Sequence, residues 1–250
     1  MAGHSKWKQI KRQKAVVDAR RGTLFTKLGR EITMAAKMGG ADPSGNARLR
    51  LAIEKARDNN MPMDVIERAI NKAVAGADTS QLDEVIYEGY GPGGTAVLVE
   101  AMTDNRNRTV AEVRNAFGRG GGNLGETGSV AWQFTTRGVI TLNIPAGDDG
   151  EAAALQAIDA GAEDFAVDDG VVSVYTKPED LETVRRALVE RGLEAASADI
   201  ERVPNVTIRL DEKDAIQALR LLDRLEDLDD VQKVYSNADF PDEVLAAYSG

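Results

Sequence analysis

Residues 206–236, VTIRLDEKDAIQALRLLDRLEDLDDVQKVYS, decide the fold. They read as a strand at Val206–Leu210, a helix over Glu212–Leu225 and a strand at Val231–Ser236. Two strands are too few for a stable sheet. The segment must therefore complete a sheet begun elsewhere, and residues 84–134 supply one. There, strands at Glu84–Tyr90 and Thr95–Met102 flank the turn Gly91-Pro92-Gly93-Gly94, a helix covers Thr109–Phe117, and a strand covers Ser129–Phe134. What lies between then becomes an insertion: a strand at Val139–Ile144, a helix at Gly150–Ala160, strands at Asp164–Val167 and Val171–Tyr175, a helix at Pro178–Arg191, and a strand ending near Val203. That βαββαβ order is ferredoxin-like.

Upstream the period is helical. Leu24, Leu28, Ile32 and Ala35, with Phe25 beside them, mark one apolar face that ends at Gly39-Gly40. Asp42-Pro43 reads as the cap and first position of a second helix, which turns Leu49, Ile53 and Ala56 inward. Ile66, Ala69, Ile70 and Ala73 stripe a third, and Gly76–Glu84 reads as a linker. The expected class is α+β: a three-helix bundle (1–76), a discontinuous α/β domain (84–134 plus 205–240), and a ferredoxin-like domain (138–204) inserted in it.

Charge divides along the same line. Residues 1–76 hold 16 Lys and Arg against 7 Asp and Glu, a net +9; residues 77–250 hold 15 against 34, a net −19. Screening confines exposed charges to a reach of roughly 8 Å at physiological salt, so a partner on the first lobe feels mainly that lobe. The overall −10 is an average over two unlike bodies. Cysteine is absent, which excludes disulfides and thiolate sites and fits a reducing compartment. The N-terminus lacks a secretory pattern and no apolar stretch is long enough to span a bilayer, so a cytoplasmic location is expected.

The strongest chemical signal is Lys6-Trp7-Lys8-Gln9-Ile10-Lys11-Arg12-Gln13-Lys14, continued by Arg20, Arg21, Lys27 and Arg30. Residues 1–30 carry nine basic side chains against one acid, Asp18. Such crowding is relieved by a polyanion, and Trp7 offers a face for an unpaired base. The competing reading is a solvated tail with Trp7 and Ile10 packed on the bundle; charge density favours the polyanion. A secondary contact is offered by Asn105, Arg106, Asn107 and Arg108, although these residues read equally well as a turn capped by Asn107 or Thr109. The run Gly118-Arg119-Gly120-Gly121-Gly122-Asn123-Leu124-Gly125 adds Arg119 and Asn123. It contains G-x-G-x-x-G, but a helix precedes it and a strand follows, the inverse of a dinucleotide site. No nucleotide cofactor is expected. His4 stands alone, no spacing suits a metal, and Asp168-Asp169 and Asp229-Asp230 read as turn residues, so no catalytic residue, metal or small-molecule substrate is expected.

The chain resembles the YebC family. The resemblance rests on Met1-Ala2-Gly3-His4-Ser5-Lys6-Trp7, Gly39-Gly40-x-Asp42-Pro43, Tyr87 to Gly94, Thr103 to Thr109, and Gly121 to Val130 with Trp132. It extends over essentially the whole chain, mainly by pattern after about residue 135. Thr23 departs from it, standing where relatives tend to carry a basic residue. The resemblance implies an N-terminal helical domain and two α/β domains, one inserted in the other. It also implies a role in regulating transcription or, as in a mitochondrial relative, in activating translation.

Three functions follow as expectations. One is a non-catalytic, DNA-binding regulator of transcription. The second is a ribosome-associated translation factor bound to rRNA or tRNA, favoured by the lack of a helix-turn-helix signature. The third is a protein-binding module in which the acidic part meets a basic partner or the chain's own basic lobe. Oligomeric state is not written in these patterns.

Overall fold

A computed structural model describes residues 18–74, 82–145, 149–168 and 170–248, with side chains from residue 22 onward. The chain is α+β, with N-terminal helices followed by sheets. Helix α1 (Asp18–Gly39) packs on α2 (Ala47–Asp58) and α3 (Met63–Val74) around Leu28, Ile32, Leu49, Ile53 and Ile66. Leu24, expected on the apolar face, is exposed; it lies in the N-terminal half of α1, which at 22 residues far exceeds its two 12-residue partners.

Helix α2 does not start at Asp42-Pro43. The Asp42 carboxylate instead accepts from the Ser44 amide and hydroxyl in a tight turn. Asn46 is the cap: its Oδ1 accepts from Leu49 N at 3.0 Å, and its Nδ2 donates to Ala35 O and Gly40 O, both at 2.8 Å. This buried amide joins the end of one helix to the start of the next. Asn60 takes a left-handed φ of 59° in the short link before α3. Most of the stretch read as a linker, 75–81, lies outside the described residues.

Strands β1 (Asp83–Tyr90) and β2 (Ala96–Thr103) form a hairpin around the Pro92–Gly94 turn. Gly93 has φ 67°, and a Cβ there would meet Leu210 at 2.4 Å. Helix α4 (Arg106–Arg119) follows, then the short β3 (Asn123–Leu124). Late in the chain come β8 (Ile208–Arg209), α7 (Glu212–Glu226), β9 (Val231–Ser236), β10 (Ala238–Asp239) and α8 (Asp242–Ala247). The antiparallel sheet runs β3-β1-β2-β9. Its main core sets Val97, Val99 and Val234 against Val113 and Phe117 of α4 and Leu219 and Leu222 of α7.

The tail strand expected at Val206–Leu210 shrinks to Ile208–Arg209 and stays out of that sheet. Its amides go to the chain beyond β9: Ile208 N donates to Asn237 O at 2.8 Å, and Leu210 N to Asp239 O at 3.0 Å. A second four-stranded sheet comprises β4 (Phe134–Asn143), β5 (Asp164–Asp168), β6 (Val171–Thr176) and β7 (Ala195–Pro204), in the order β5-β6-β4-β7. Helices α5 (Gly150–Asp159) and α6 (Leu181–Glu190) cover one face of it over Ile140, Leu142, Val172 and Val174.

The strand expected at Ser129–Phe134 is absent. Residues Ala131–Gln133 make a single 3-10 turn, and β4 begins at Phe134. The cause is Glu88 on β1, 4% exposed, whose carboxylate accepts from the amides of Gly128 (2.6 Å), Val130 (2.8 Å) and Ala131 (2.7 Å). Amides committed to a buried carboxylate cannot enter a ladder.

Candidate nucleic-acid interface

Of the basic residues singled out in the sequence, Lys6, Trp7, Lys8, Lys11, Arg12 and Lys14 lie outside the described residues, and Arg20 and Arg21 are described only as backbone at the start of α1. Lys27 and Arg30 come next on that helix, and they face the acidic body rather than solvent. The Lys27 ammonium donates to Glu226 O. The Arg30 guanidinium donates to Asp229 O at 2.6 Å and pairs with the Asp230 carboxylate at 2.8 Å.

Asp230 sits in a turn, as the sequence suggested, but it is also a buried junction. Its side chain is 2% exposed. It accepts from Thr109 Oγ1 and Arg108 Nη2, both at 2.6 Å, and from Thr103 Oγ1 at 3.1 Å. Burial pushes this carboxyl up, but the hydrogen bonds from Arg108 and Thr109 and the charge of Arg30 outweigh it and hold it below the ordinary value. The Asn-Arg segment is built around this group. Asn105, not Asn107 or Thr109, caps α4, its side chain accepting from Arg108 N at 3.1 Å. Arg106 pairs with Asp83 at 2.7 Å, and Arg108 also reaches Asp104 at 2.8 Å. Asn107, Arg119 and Asn123 are exposed.

A second set of contacts lies farther along the helical lobe. Arg48 pairs with Glu31 at 3.2 Å and with Glu84. Lys55 and Lys233 share the Asp199 carboxylate, each at 2.8 Å, so one acid on β7 joins α2 to β9. Burial opposes ionisation of Asp199, yet the two lysines drive its pKa far below the ordinary value. Glu54 and Arg185 add a pair of reversed polarity at 3.5 Å. Lys27, Arg30, Arg48 and Lys55 are thus all turned to the body.

The glycine-rich run leads into the loop held by Glu88, and that loop carries Trp132 at 72% exposure. The indole Nε1–H donates to Ser129 O at 3.1 Å, so the group left facing solvent is a flat ring. Reading this stretch as a strand hid Trp132; the aromatic just beyond a Gly-x-x-Gly segment was the signal available. Among the described residues, no group of three or more His, Cys, Asp or Glu is placed to hold a metal, and no helix is long and apolar enough to cross a membrane.

Comparison with known proteins is consistent along the chain. Residues 5–76 match the model of the TACO1/YebC protein N-terminal domain, and residues 82–238 match that of the TACO1/YebC second and third domain. A probable transcriptional regulatory protein of Dehalococcoides mccartyi is 54% identical over 248 residues, covering 99% of this chain and 98% of that protein. One of the same description from Chloroflexus aurantiacus is 52% identical over 250 residues, covering 99% of each. The crystal structure of a conserved hypothetical protein from Aquifex aeolicus superposes with a TM-score of 0.84 at 46% identity, covering 92% of this chain and 95% of that one.

Proposed function

This chain belongs to the TACO1/YebC family, and from that premise we propose that it is a non-catalytic regulator of gene expression that grips nucleic acid through its basic N-terminal segment. Relatives named as probable transcriptional regulatory proteins support the regulatory role and make DNA the first target to test. The observation that carries the proposal is the separation of charge, +9 on residues 1–76 against −19 on the remainder. Since Lys27, Arg30, Arg48 and Lys55 are engaged with the body, the phosphate contacts are assigned to Lys6, Lys8, Lys11, Arg12, Lys14, Arg20 and Arg21, with Trp7 for stacking. Arg106 and Arg108 already hold acidic partners and serve at most as secondary contacts, with Arg119, Asn105, Asn107 and Asn123. The protein works in the cytoplasm, with neither cofactor nor small-molecule substrate.

One observation favours RNA on the ribosome as the alternative target. The second helix of a DNA-reading pair enters the major groove and presents donors there. Here α3 carries Arg68 and Lys72 against Asp64 and Glu67, with Arg68 paired to Asp64 at 2.8 Å, which suits neither a groove nor a base edge.

The test is fluorescence anisotropy of the full chain with labelled duplex DNA and with labelled rRNA fragments between 50 and 200 mM salt. Each phosphate contact adds about −0.9 to the log–log slope on duplex DNA, so the combined Lys8, Lys11, Arg12 and Lys14→Ala variant is expected to flatten it by up to about 3.6. A slope identical to that of the unaltered chain would refute these residues as the grip. Sedimentation of lysate through a sucrose gradient separates the targets. Co-migration with ribosomal subunits supports the RNA reading; migration with free protein at low salt after crosslinking speaks for DNA.

A further inference from the structure

We infer that Trp132 is a stacking platform for an unpaired nucleobase, an inference that rests on the nucleic-acid function proposed above. A ring exposed at 72% is normally a liability, yet here it sits on a loop held by several hydrogen bonds. Three amides of that loop converge on the buried Glu88 carboxylate. Tyr90 Oη donates to Ser129 O at 3.0 Å, and Asn205 Nδ2 donates to Trp132 O at 3.3 Å, so the loop is tied from three sides. Binding at such a ring orders little that is not already ordered.

The chemistry of the loop selects the ligand. Its amides at Gly128, Val130 and Ala131 are spent on Glu88 and the indole N–H on Ser129, so it offers an anion no donor from these groups and cannot act as a phosphate cradle through them. What remains is the π face. Along the chain near it, Glu126, Thr127, Gly128, Ala131 and Thr135 are exposed and small or polar, and Val206, next to Asn205, is exposed and apolar. The tryptophan ring is the one aromatic face the loop offers. Residues 77–250 are net −19, so they attract a polyanion far less than the basic segment does. An uncharged ring stacked on an uncharged base is a contact that such a surface can make.

The experiment titrates the full chain with a fluorescein-labelled single-stranded 12-mer of uridylate and with a fully paired duplex of equal length. Anisotropy reports binding and intrinsic emission reports stacking. The difference in quenching between the unaltered chain and Trp132→Phe isolates Trp132 from Trp7. Expected are quenching of Trp132 by the single strand and not by the duplex, and single-strand affinity weakened roughly 5- to 150-fold in Trp132→Ala with the salt slope unchanged. Because the side chain lies outside the core, circular dichroism of that variant should match the unaltered chain. Full binding without Trp132 quenching, or with undiminished affinity in Trp132→Ala, overturns the stacking role and leaves the basic grip standing. Absence of binding to either strand overturns both. Retained oligonucleotide affinity in Trp132→Ala with loss of a protein from nuclease-treated pull-downs would replace the base by a protein partner.

Discussion

Asp230 and Glu88 are carboxylates whose burial is tolerable only because each collects several donors. Removing Asp230 takes the charged acceptor from the hydroxyls of Thr103 and Thr109, which keep each other and Asn105, and deprives Arg30 and Arg108 of their shared partner. Both arginines are partly exposed and can recover water, so the loss falls below that of a fully buried pair. Asp230→Ala is expected to cost about 2–4 kcal/mol, read from the urea midpoint by circular dichroism. The pH dependence follows in sign. Hydrogen bonds and charge hold both groups below their ordinary values despite burial. Each therefore stabilises the folded chain in full above the ordinary carboxylate range, and that stabilisation drains away as the pH falls through it towards the folded value. The urea midpoint should drop between about pH 5 and pH 3, and Asp230→Asn and Glu88→Gln should each flatten that drop. A variant with the original acid limb would show that its carboxylate does not supply the effect.

At the scale of the element, two residues with opposite roles make the helix ends testable. Asn46 satisfies one amide of α2 and two carbonyls at the end of α1 while only 6% exposed. Asn46→Ala is expected to destabilise the helical lobe by about 2 kcal/mol, seen as a lower thermal midpoint. Gly118 lies inside α4 without a left-handed φ and with no atom within 4 Å of a Cβ placed there. Gly118→Ala should then stabilise by about 0.5–1 kcal/mol, unless a partner needs the bare backbone, in which case binding weakens while stability rises. Such residues also show why parts of the fold were readable in advance. Period alone placed α3, α7 and the βαββαβ run of the second sheet, because apolar spacing there matches the faces that are buried. It failed at Asp42-Pro43, at Ser129–Phe134 and at Val206–Leu210, where a side chain or a distant segment claims the backbone amides. The Asn-Arg segment was legible as a loop before a helix. That Arg108 is tied to an acid 122 positions away was not, since nothing local to either residue encodes the pairing.

For the whole molecule, the division of charge first serves to hold the two parts together. Part of the positive charge of the helical lobe holds that lobe to the acidic body: Arg30 through Asp230, Lys55 through Asp199, Arg48 through Glu84, and Lys27 through a backbone carbonyl. Under the proposed function, the polyanion is met by the basic residues that precede Lys27. Self-docking, one of the three functions the sequence allowed, is therefore compatible with nucleic-acid binding, because the two draw on different basic residues. If this partition is correct, opening the seam should add grip. In an Asp199→Ala, Asp230→Ala double variant, Arg30 and Lys55 lose their acidic partners, while the helical lobe keeps its core of Leu28, Ile32, Leu49 and Ile66. Far-UV circular dichroism should change little at temperatures below unfolding, and the maximum dimension from small-angle scattering should grow. The slope of log affinity against log salt should steepen by up to about 2, one freed cation for each added phosphate contact. A slope and dimension equal to those of the unaltered chain would mean that apolar packing between the lobes, and not these two acids, holds the seam closed.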